Sequence, residues 1–446
     1  MNKRLVILGA GESGVGAALL AKQEGYEVFV SDGGPIKEPY KMELQLHKID
    51  FEEAQHTEEK ILNADEIMKS PGIPEKNGLI KKIRTKKIPV ISEIELAYRH
   101  KGDSRIIAIT GSNGKTTTTA LIYHICKTAG MDCALVGNIG YSFAKQVAED
   151  PKALYVAEIS SFQLDDIKTF RPDVAVLTNI TEDHLDRYDY KMQNYVDSKF
   201  KIAQNQTAAD VFIYCLDDEI TIKNVTNYPI KSTLLPFTMS KQLPQGAYIS
   251  NAQLHVKWRN EEMQMSIDDF KLKGKHNQYN SMAASLAATV TEIKKESVRE
   301  ALTTFQSLEH RMEPVVTIKG VEFINDSKAT NINSTWYALE SMEKPVILIL
   351  GGVDKGNDYS LLNELVKEKV KAIVCMGTDN LKIHEAFGKM VELIVNTTSA
   401  QEAVQSAFHF AAKGDVVLLS PACASFDLFK NYEDRGEQFK KAVKEL

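Results

Sequence analysis

The chain has 446 residues, of which 43% are hydrophobic and 26% charged, and its formal net charge is -6. This length exceeds the usual size of one hydrophobic core, so several domains are expected, and the composition is that of a globular protein rather than a disordered one. The acidic balance argues against binding to a nucleic-acid backbone, and no stretch is apolar enough to cross a bilayer. Five scattered cysteines without a CxxC pair are typical of a reducing compartment, which predicts a cytoplasmic location.

Short β-branched runs alternate with helical patterns along the whole chain, which predicts parallel α/β domains. The first segment opens with strands at LVILG and YEVFVSD, on either side of a helix that begins near Gly14, and ends with a helix at Glu93–His100. A second α/β unit opens with RIIAIT and passes into a polar, β-rich excursion at residues 230–273. The strand pattern restarts after SLEHRMEP. Three domains are therefore predicted, at residues 1–100, 101–308 and 309–446.

A glycine-rich segment, ITGSNGKTTTT, follows one predicted strand directly and precedes a predicted helix. This is the setting of a phosphate-binding loop, in which backbone N–H groups and the positive end of the helix surround phosphate oxygens. Lys115 would reach the β and γ phosphates of ATP, and Thr116 or Thr117 would lie near Mg²⁺. Ile109 stands where the common G-x-x-x-x-G-K pattern has its first glycine, so a shorter variant loop is expected. The predicted ATP-binding residues here are Gly111, Ser112, Asn113, Gly114, Lys115, Thr116, Thr117 and Thr118.

A second glycine pattern, Gly-Ala-Gly-Glu-Ser-Gly at residues 9–14, is followed by Asp32 at the end of the next predicted strand. This is the arrangement of a dinucleotide-binding domain. The same glycines serve any strand-to-helix turn that brings backbone close to a diphosphate, so a diphosphate ligand is the inference and NAD one candidate. A NAD-dependent oxidoreductase would leave the ATP loop unexplained, because hydride transfer needs no ATP.

Seven further motifs follow the phosphate loop: EISSFQL, NITEDHLDRY, SKFK, HNQYN, HR, DSKATN and SPACASFD. Their succession resembles the Mur ligase family over essentially the whole chain, and the last two are similar to its D-glutamate-adding members. The resemblance implies an α/β fold with a Rossmann-like N-terminal domain, a central P-loop ATPase-like parallel sheet with a small β excursion, and a Rossmann-like C-terminal domain. It also implies ATP-dependent amide formation between UDP-N-acetylmuramoyl-L-alanine and D-glutamate in peptidoglycan precursor synthesis. The reaction would pass through an acyl phosphate and release ADP and phosphate.

The resemblance reinterprets the apparent NAD fingerprint as a site for the UDP part of that substrate. Family members often have Thr-Arg after the fingerprint aspartate, whereas Gly33 and Gly34 follow it here, so uridine recognition would differ in detail. The implied UDP-substrate residues are Glu12, Ser13, Gly14, Asp32, Ser70, Pro71, Gly72 and Asn138.

Glu158 and His184 follow apolar strand runs, where parallel-sheet enzymes gather their sites. A carboxylate suits Mg²⁺, which prefers oxygen ligands, and histidine is a less usual ligand for it. In this family the lysine that matches Lys199 is carbamylated by CO₂ and bridges Mg²⁺ through its new carboxylate, and burial would favour the neutral amine that reacts. The implied ligands of a pair of Mg²⁺ ions are Thr116, Glu158, His184 and carbamylated Lys199. The implied catalytic residues are Lys115, His184, Lys199 and Lys328.

The resemblance also implies residues for the nucleotide and for the amino acid. Lys328 would contact the γ-phosphate, and ATP would lie between the central and C-terminal domains, so that closure excludes water from the acyl phosphate. The remaining nucleotide-facing residues are Asn277, Asn280, Arg311 and Asp326. D-glutamate would be surrounded by Thr330, Lys355, Ser425 and Phe426. The expected partners are these small molecules, with no nucleic acid or membrane, and the chain is expected to be a monomer.

Two classes of alternative stay open. Folylpolyglutamate synthase and muramyl ligases for other amino acids belong to the same family; the uridine-site fingerprint disfavours the first, and DSKATN with SPACASFD disfavours the others. A nonenzymatic P-loop switch or binding protein would explain the phosphate loop alone.

Overall fold

The computed structural model describes residues 3–306, 309–354 and 356–446, and Lys355 therefore lies outside the described residues. The chain divides into two compact units. Unit 1 contains Met1–Phe270 and Tyr279–Thr304, and unit 2 contains Lys271–Gln278 and Phe305–Leu446. The described residues form two sheets in unit 1 and one in unit 2.

The first sheet of unit 1 has five parallel strands and is flanked by five helices. Its strands are β1 (Arg4–Leu8), β2 (Glu27–Ser31), β3 (Asp50–Glu52), β4 (Glu66–Lys69) and β5 (Val90–Ile91). Its helices are α1 (Glu12–Gln23), α2 (Glu38–Leu46), α3 (Glu58–Ile61), α4 (Gly78–Thr85) and α5 (Glu93–His100). The strand order is β3-β2-β1-β4-β5, so the apolar strand β1 lies at the centre and is buried on both faces. The order reverses between β1 and β4, where the loops after both strands meet at one edge.

The second sheet of unit 1 has nine strands in the order β14-β13-β12-β11-β10-β9-β6-β8-β7. The strands are β6 (Arg105–Thr110), β7 (Cys133–Gly137), β8 (Leu154–Glu158), β9 (Val174–Leu177), β10 (Val211–Cys215), β11 (Thr233–Thr238), β12 (Gly246–Ser250), β13 (Gln253–Trp258) and β14 (Glu261–Ser266). The helices are α6 (Lys115–Thr128), α7 (Phe143–Glu149), α8 (Ser161–Leu164), α9 (Met192–Phe200), α10 (Glu219–Val225), α11 (Lys275–Val290) and α12 (Lys295–Thr304). Short 3₁₀ helices occur at Leu185–Arg187, Lys201–Ala203 and Ile267–Asp269.

The predicted β-rich excursion is an extension of this second sheet. Strand β12 pairs in parallel with β11, and β13 and β14 then add antiparallel pairs at the edge. Asn251 and Ala252, with φ of 52° and 55°, form the two-residue turn between β12 and β13, which is the geometry that favours a hairpin. The sheet is therefore mixed rather than wholly parallel, because a hairpin this short can only place its strands antiparallel.

The two sheets of unit 1 share one hydrophobic core. Residues of α1, including Val15 and Leu19, belong to the same buried cluster as Phe143 and Ala144 of α7. Gly16 allows α1 to pack closely against the start of α7, because a Cβ at this position would collide with the side chain of Ser142. The two sheets are thus packed against each other through α1 and α7.

Unit 2 is built on a six-stranded sheet with helices on both faces. Its strands are β15 (Glu313–Ile318), β16 (Val321–Asn325), β17 (Val346–Leu350), β18 (Val370–Met376), β19 (Leu393–Thr397) and β20 (Val416–Leu419). Its helices are α13 (Ile332–Glu340), α14 (Asn363–Lys369), α15 (Leu381–Phe387), α16 (Ala400–Phe410) and α17 (Tyr432–Lys444), with a 3₁₀ helix at Tyr359–Leu362. The order β15-β16-β20-β17-β18-β19 places β20 between β16 and β17, with β15 alone antiparallel. The loops after β16 and β20, which carry DSKATN and SPACASFD, are therefore neighbours.

The predicted α/β class is confirmed, and the helix predicted at Glu93–His100 has those bounds. The sequence patterns missed five strands, whose runs are short or interrupted by proline and exposed residues: β3, β4, β5, β7 and β15. The predicted domain boundaries at residues 100 and 308 stay predictions. Within the described part of the chain, every helix is too short or too polar to span a bilayer.

Candidate active site

The phosphate-binding loop has the predicted setting of strand, loop and helix. Strand β6 ends at Thr110, and α6 begins at Lys115. Gly111 and Gly114 have φ of 146° and 80°, which glycine alone adopts without strain. A Cβ at Gly111 would collide with Thr178, and one at Gly114 with the side chain of Asn280. Glycine is therefore needed at both positions for conformation and for space.

The loop is braced by the side chains that follow β9, Thr178 and Asn179, to which the sequence analysis assigned no role. The Asn113 N–H donates to Asn179 Oδ1 at 2.9 Å, and the Asn113 carbonyl accepts from Thr178 Oγ1 at 2.6 Å and Asn179 Nδ2 at 3.0 Å. On the other side, Ser112 Oγ lies 3.1 Å from the Tyr195 hydroxyl. The signal for these residues was available, since β9 is the parallel neighbour of β6 and both end at the same edge.

Two lysines converge on the carbonyl of Gly111. Lys115 Nζ donates to that oxygen at 2.8 Å and to the Ser112 carbonyl at 2.9 Å, while Lys199 Nζ donates to Gly111 at 2.7 Å. Lys199 is 1% exposed, and its amine lies 4.5 Å from the centroid of the Tyr195 ring. Burial and then the charge of Lys115 hold the pKa of Lys199 well below its usual value, although Glu158 is among the acidic groups that oppose this shift. The structure thus shifts the protonation equilibrium of Lys199 towards the neutral amine.

A buried carboxylate lies at the end of β8. Glu158 is 1% exposed, and its Oε1 accepts a hydrogen bond from Asn138 Nδ2 at 2.8 Å. Its Oε2 is buried and has no hydrogen-bond partner among the described residues. A buried oxygen without a partner is costly unless something binds it, so this atom fits a metal ligand. With Thr116 at the start of α6, the site offers the oxygen donors that Mg²⁺ prefers.

His184 occupies the turn that leads into the 3₁₀ helix Leu185–Arg187. Its φ is 54°, in the left-handed region, and its side chain is 37% exposed. The imidazole packs edge-on against Phe162 with ring centroids 5.1 Å apart, and its Nε2 lies 3.6 Å from Asp183 Oδ2. The backbone is therefore strained at a partly open histidine, which is typical of a functional position.

The fingerprint turn after β1 is stabilised by Asp32. One carboxylate oxygen accepts from the Ala10 N–H at 2.6 Å and the other from the Gly34 N–H at 2.8 Å. A Cβ at Gly9, whose φ is 95°, would collide with Ser70, so the loop after β4 lies directly beside this turn. Glu12 accepts from the Ser142 N–H at 3.2 Å. The structure therefore brings together most of the predicted UDP-substrate residues at one edge of the first sheet, while Asn138 contacts Glu158 instead.

In unit 2, Asp326 and Ser420 follow the adjacent strands β16 and β20. Asp326 Oδ2 accepts from Ser420 Oγ at 2.9 Å, and its Oδ1 accepts from the Met312 N–H at 3.2 Å. Burial raises the pKa of Asp326 to about 6, although the charge of Arg311 opposes the shift. Lys328 Nζ lies 5.3 Å from the Tyr432 ring. The predicted nucleotide residues Arg311, Asp326 and Lys328 thus lie in neighbouring segments.

The predicted amino-acid residues have unequal environments. Ser425 is buried, Thr330 is half-buried, and Phe426 is 71% exposed. Val353 forms an isolated antiparallel bridge with Ala424, which joins the segment before residue 355 to the SPACASFD loop. The two asparagines of HNQYN fall in different units. Asn277 donates to the Lys273 carbonyl at 2.8 Å, whereas Asn280 accepts from Thr118 Oγ1 at 3.1 Å.

A buried arginine that the sequence analysis missed joins the two motif loops of unit 2. Arg435 is fully buried, and its guanidinium donates to Ser327 Oγ at 3.0 Å, to the Ser327 carbonyl at 2.7 Å and to the Cys423 carbonyl at 3.1 Å. Burial lowers the pKa of Arg435 to about 10. An arginine within a charged helix such as α17 is usually solvated, so this contact could not be predicted from the sequence.

The site combines a glycine-rich loop between β6 and α6, two lysines on one of its carbonyls and a nearby buried carboxylate. This combination in an α/β protein is suited to nucleotide phosphates. Three family models match the chain: the MurD N-terminal domain at residues 4–78, the Mur ligase middle domain at residues 109–288, and the glutamate ligase domain of Mur ligases at residues 310–423.

Curated relatives match the chain from end to end. The UDP-N-acetylmuramoylalanine--D-glutamate ligase of Christiangramia forsetii is 54% identical over 450 residues and that of Bacteroides fragilis is 53% identical over 445 residues, with each comparison covering 100% of both chains. The chain belongs to the Mur ligase family, and it is a ligase. Among solved structures, UDP-N-acetylmuramate-alanine ligase from Thermotoga maritima matches with a TM-score of 0.62 at 17% identity and covers 100% of both chains. The MurF ligase of the same organism, in complex with ADP, matches with a TM-score of 0.59 at 15% identity over 87% of this chain and 91% of that one. These two likenesses confirm the fold.

Proposed function

We propose that the chain joins UDP-N-acetylmuramoyl-L-alanine to D-glutamate through an amide bond, at the expense of ATP. The observation that carries this proposal is the full-length identity of more than half with relatives that are named for these two substrates. The reaction belongs to peptidoglycan precursor synthesis, and the product would contribute to the cell wall, to cell shape and to cell division. We place the enzyme in the cytoplasm as a monomer that acts on small molecules, without a nucleic-acid or membrane partner.

Amide formation from a free carboxylate in water is uphill, so the carboxylate must first become a better electrophile. Transfer of the γ-phosphoryl group of ATP to the alanyl carboxylate gives an acyl phosphate and ADP. The amine of D-glutamate then attacks the acyl carbon, phosphate leaves, and the amine loses a proton. Because transfer between two anions depends on positioning and charge neutralisation, Lys115 and the loop N–H groups would hold the phosphates, and Lys328 would contact the γ-phosphate.

Mg²⁺ is assigned to Thr116, Glu158 and His184, and its contribution is to neutralise phosphate charge. The unpartnered Oε2 of Glu158 supports the assignment, because it is a buried anionic oxygen that needs a ligand. Asn138 would fix the orientation of the carboxylate through its hydrogen bond to Oε1.

Carbamylation of Lys199 is part of the proposal. A neutral amine attacks CO₂, the nitrogen loses one proton, and a carbamate with a single negative charge results. The burial of Lys199 and its place beside Lys115 supply the neutral amine and a cation that would stabilise the carbamate. The modification can be observed directly, as a new carbonyl resonance when the protein is equilibrated with ¹³C-labelled bicarbonate. Its absence in an active preparation, with Lys199→Gln as the unlabelled control, would refute this step.

The remaining assignments follow the motifs. Residues 1–100 would bind the UDP part through the fingerprint turn and the loop at Ser70–Gly72, and residues 101–308 would bind ATP. Residues 309–446 would bind D-glutamate through Thr330, Lys355, Ser425 and Phe426. The adjacent positions of the loops after β16 and β20 support a single amino-acid site there.

The proposal is tested by phosphate release from ATP with UDP-N-acetylmuramoyl-L-alanine, comparing D-glutamate with L-glutamate, L-alanine, L-lysine and no amino acid. Release that depends on D-glutamate, with a product heavier by one glutamyl residue, is expected. The Lys115→Ala variant should lose release, because the phosphates lose their main cation. Release with another amino acid would keep the family and change the substrate.

A further inference from the structure

The loop Ser70–Gly72 is contacted by an arginine from the other sheet of unit 1. Arg187 Nη2 donates to the Pro71 carbonyl at 3.0 Å, and Nη1 makes a longer bond of 3.4 Å to the Gly72 carbonyl. Both bonds end on backbone oxygens, so they act on the orientation of the peptide groups and not on a side chain. A planar guanidinium with paired donors is suited to two successive carbonyls.

Arg187 itself is held from the opposite side. Its guanidinium carbon lies 4.5 Å from the centroid of the Phe162 ring, close enough for a cation–π contact. Its backbone N–H donates to the His184 carbonyl at 2.9 Å, which closes the turn at the start of the 3₁₀ helix. The same Phe162 ring stacks on Tyr188 with centroids 5.9 Å apart. The arginine is therefore supported by an aromatic cluster and is not a freely moving surface side chain.

Arg187 fixes the direction of the peptide groups whose carbonyls it binds, at Pro71 and Gly72. In a trans peptide the C=O and N–H point in opposite directions, and the described chain has no cis peptide. When Arg187 binds the Pro71 carbonyl, the N–H of Gly72 must point away from the arginine. The next N–H, that of Ile73, already donates to the Ser70 carbonyl at 3.1 Å. The Gly72 N–H is thus the donor of this loop that Arg187 orients.

The loop also lies beside the N-terminal end of α1. Ser70 packs so closely against Gly9 of the fingerprint turn that a Cβ at Gly9 would collide with it. Helix α1 begins directly after this turn, at Glu12. N–H groups at a helix N-terminus and an oriented N–H from a neighbouring loop make an anion site. The oriented loop therefore complements the turn where a diphosphate would bind.

We propose that Arg187 is a positioning residue for the UDP-substrate loop: through the Pro71 and Gly72 carbonyls it sets the loop N–H that receives the substrate diphosphate. This inference rests on the proposed function and extends it. Arg187 does not touch the substrate, and it acts through the backbone of the loop.

The test is calorimetric binding of UDP-N-acetylmuramoyl-L-alanine to the full chain without ATP, at low and high salt. Arg187→Ala should weaken binding about tenfold, as expected for the loss of a pair of hydrogen bonds that preorganise a site. Arg187→Lys should give an intermediate loss, because an ammonium reaches one carbonyl and lacks the planar stacking surface. Lys76 is an exposed cation that lines, together with Arg187, a cavity of about 510 Å³. Lys76→Ala is therefore the matched charge control and should bind within about twofold of the parent.

The alternative is that Arg187 attracts the diphosphate by charge alone. In that case Arg187→Lys would bind like the parent, Lys76→Ala would lose as much as Arg187→Ala, and high salt would remove the difference. That pattern, or unchanged binding by Arg187→Ala, would overturn the inference. Failure of the parent itself to bind would instead overturn the proposed function, so the two failures are distinguishable. Steady-state phosphate release gives a second readout: the KM for the UDP substrate should rise, whereas the KM for ATP should not.

Discussion

Glu93 and Glu95 lie two residues apart at the start of α5, and the fold shifts their pKa values in opposite directions. Complete burial raises the pKa of Glu93, although its carboxylate accepts from Ser142 Oγ at 2.7 Å and from the Ala144 N–H at 2.6 Å. Burial would also raise the pKa of Glu95, but three consecutive N–H groups at residues 168–170 and a threonine hydroxyl bind its carboxylate and lower it. One helix turn therefore carries a carboxylate that destabilises the fold when ionised and one that stabilises it.

Glu93→Gln should make the protein more stable at neutral pH. Because the folded pKa of Glu93 is above its unfolded value, the stability it contributes at low pH is lost as the pH rises through the folded pKa. The glutamine carries no charge and can still accept from Ser142 and Ala144. We expect a gain of about 1 kcal/mol in the free energy of unfolding at pH 7, shrinking towards zero below pH 4.5. Urea unfolding across this range measures the gain, and a gain independent of pH would contradict the assignment.

Glu95→Gln should have the opposite effect. The folded pKa of Glu95 is below its unfolded value, so its contribution is present above the unfolded pKa and is lost as the pH falls through the folded one. An amide cannot accept from all of the donors at residues 168–170, which include the N–H of buried Phe170, so some of these N–H groups lose their acceptor. A loss of about 2–3 kcal/mol at neutral pH is expected, and it should decrease in acid. The same unfolding series checks it, with Glu93→Gln as the matched control on the same helix.

The features that could be predicted from the sequence are local, whereas those that could not be predicted join residues far apart along the chain. The phosphate loop was predictable because the needs of Gly111 and Gly114 are local: a turn between a strand and a helix, with N–H groups at the helix start. The contacts of Arg187 with Pro71 and of Arg435 with Ser327 join residues more than a hundred positions apart. Such pairs depend on which strands become neighbours, and a single sequence does not specify that order.

The extension of the second sheet of unit 1 by the β-rich excursion could not be predicted for a related reason. The excursion at residues 230–273 was predicted as β-rich, but the pairing of its first strand, β11, with β10 depends on an open edge at that end of the sheet. The burial of Glu93 was likewise hidden, because a glutamate near the start of a helix is usually exposed and favourable to the helix dipole. Packing of α5 against α7 between the two sheets removes it from water instead.

Asp326→Asn should separate stability from activity in unit 2. The pKa of Asp326 is raised to about 6 by burial, so its stability contribution is lost as the pH rises through 6, and the ionised form is a cost at neutral pH. The asparagine can accept from the Met312 N–H and donate to Ser420 Oγ, which can turn its proton to Thr335. Thermal unfolding at pH 7.5 should show a gain of about 1–3 kcal/mol, which shrinks as the pH falls below 6 and vanishes only below the unfolded pKa of 3.8.

The activity of the same variant should fall, because an anion near Arg311 is replaced by a neutral amide at a predicted nucleotide residue. In the parent, protonation of Asp326 should reduce phosphate release as the pH falls through about 6. In the Asp326→Asn variant, phosphate release should not show this decrease on the acidic side of its pH profile. A variant that is as active as the parent with the same acidic limb would exclude Asp326 as its source.

Gly114 and Gly130 at the two ends of α6 allow strain to be separated from nucleotide binding. Both have positive φ, 80° and 73°, so an alanine at either position adds about 1 kcal/mol of left-handed strain. A Cβ at Gly130 meets nothing within 4 Å, whereas one at Gly114 collides with Asn280, whose carbonyl oxygen accepts from Thr118 Oγ1. Gly114→Ala must therefore displace the loop or Asn280, both of which are predicted to face the nucleotide. We expect Gly130→Ala to lose about 1 kcal/mol of stability and Gly114→Ala at least as much, but only Gly114→Ala to bind Mg·ADP at least about tenfold more weakly. Calorimetric titration with Mg·ADP, alongside thermal unfolding, decides the matter: equal affinity in the two variants would mean that the Gly114 loop does not contact the phosphates.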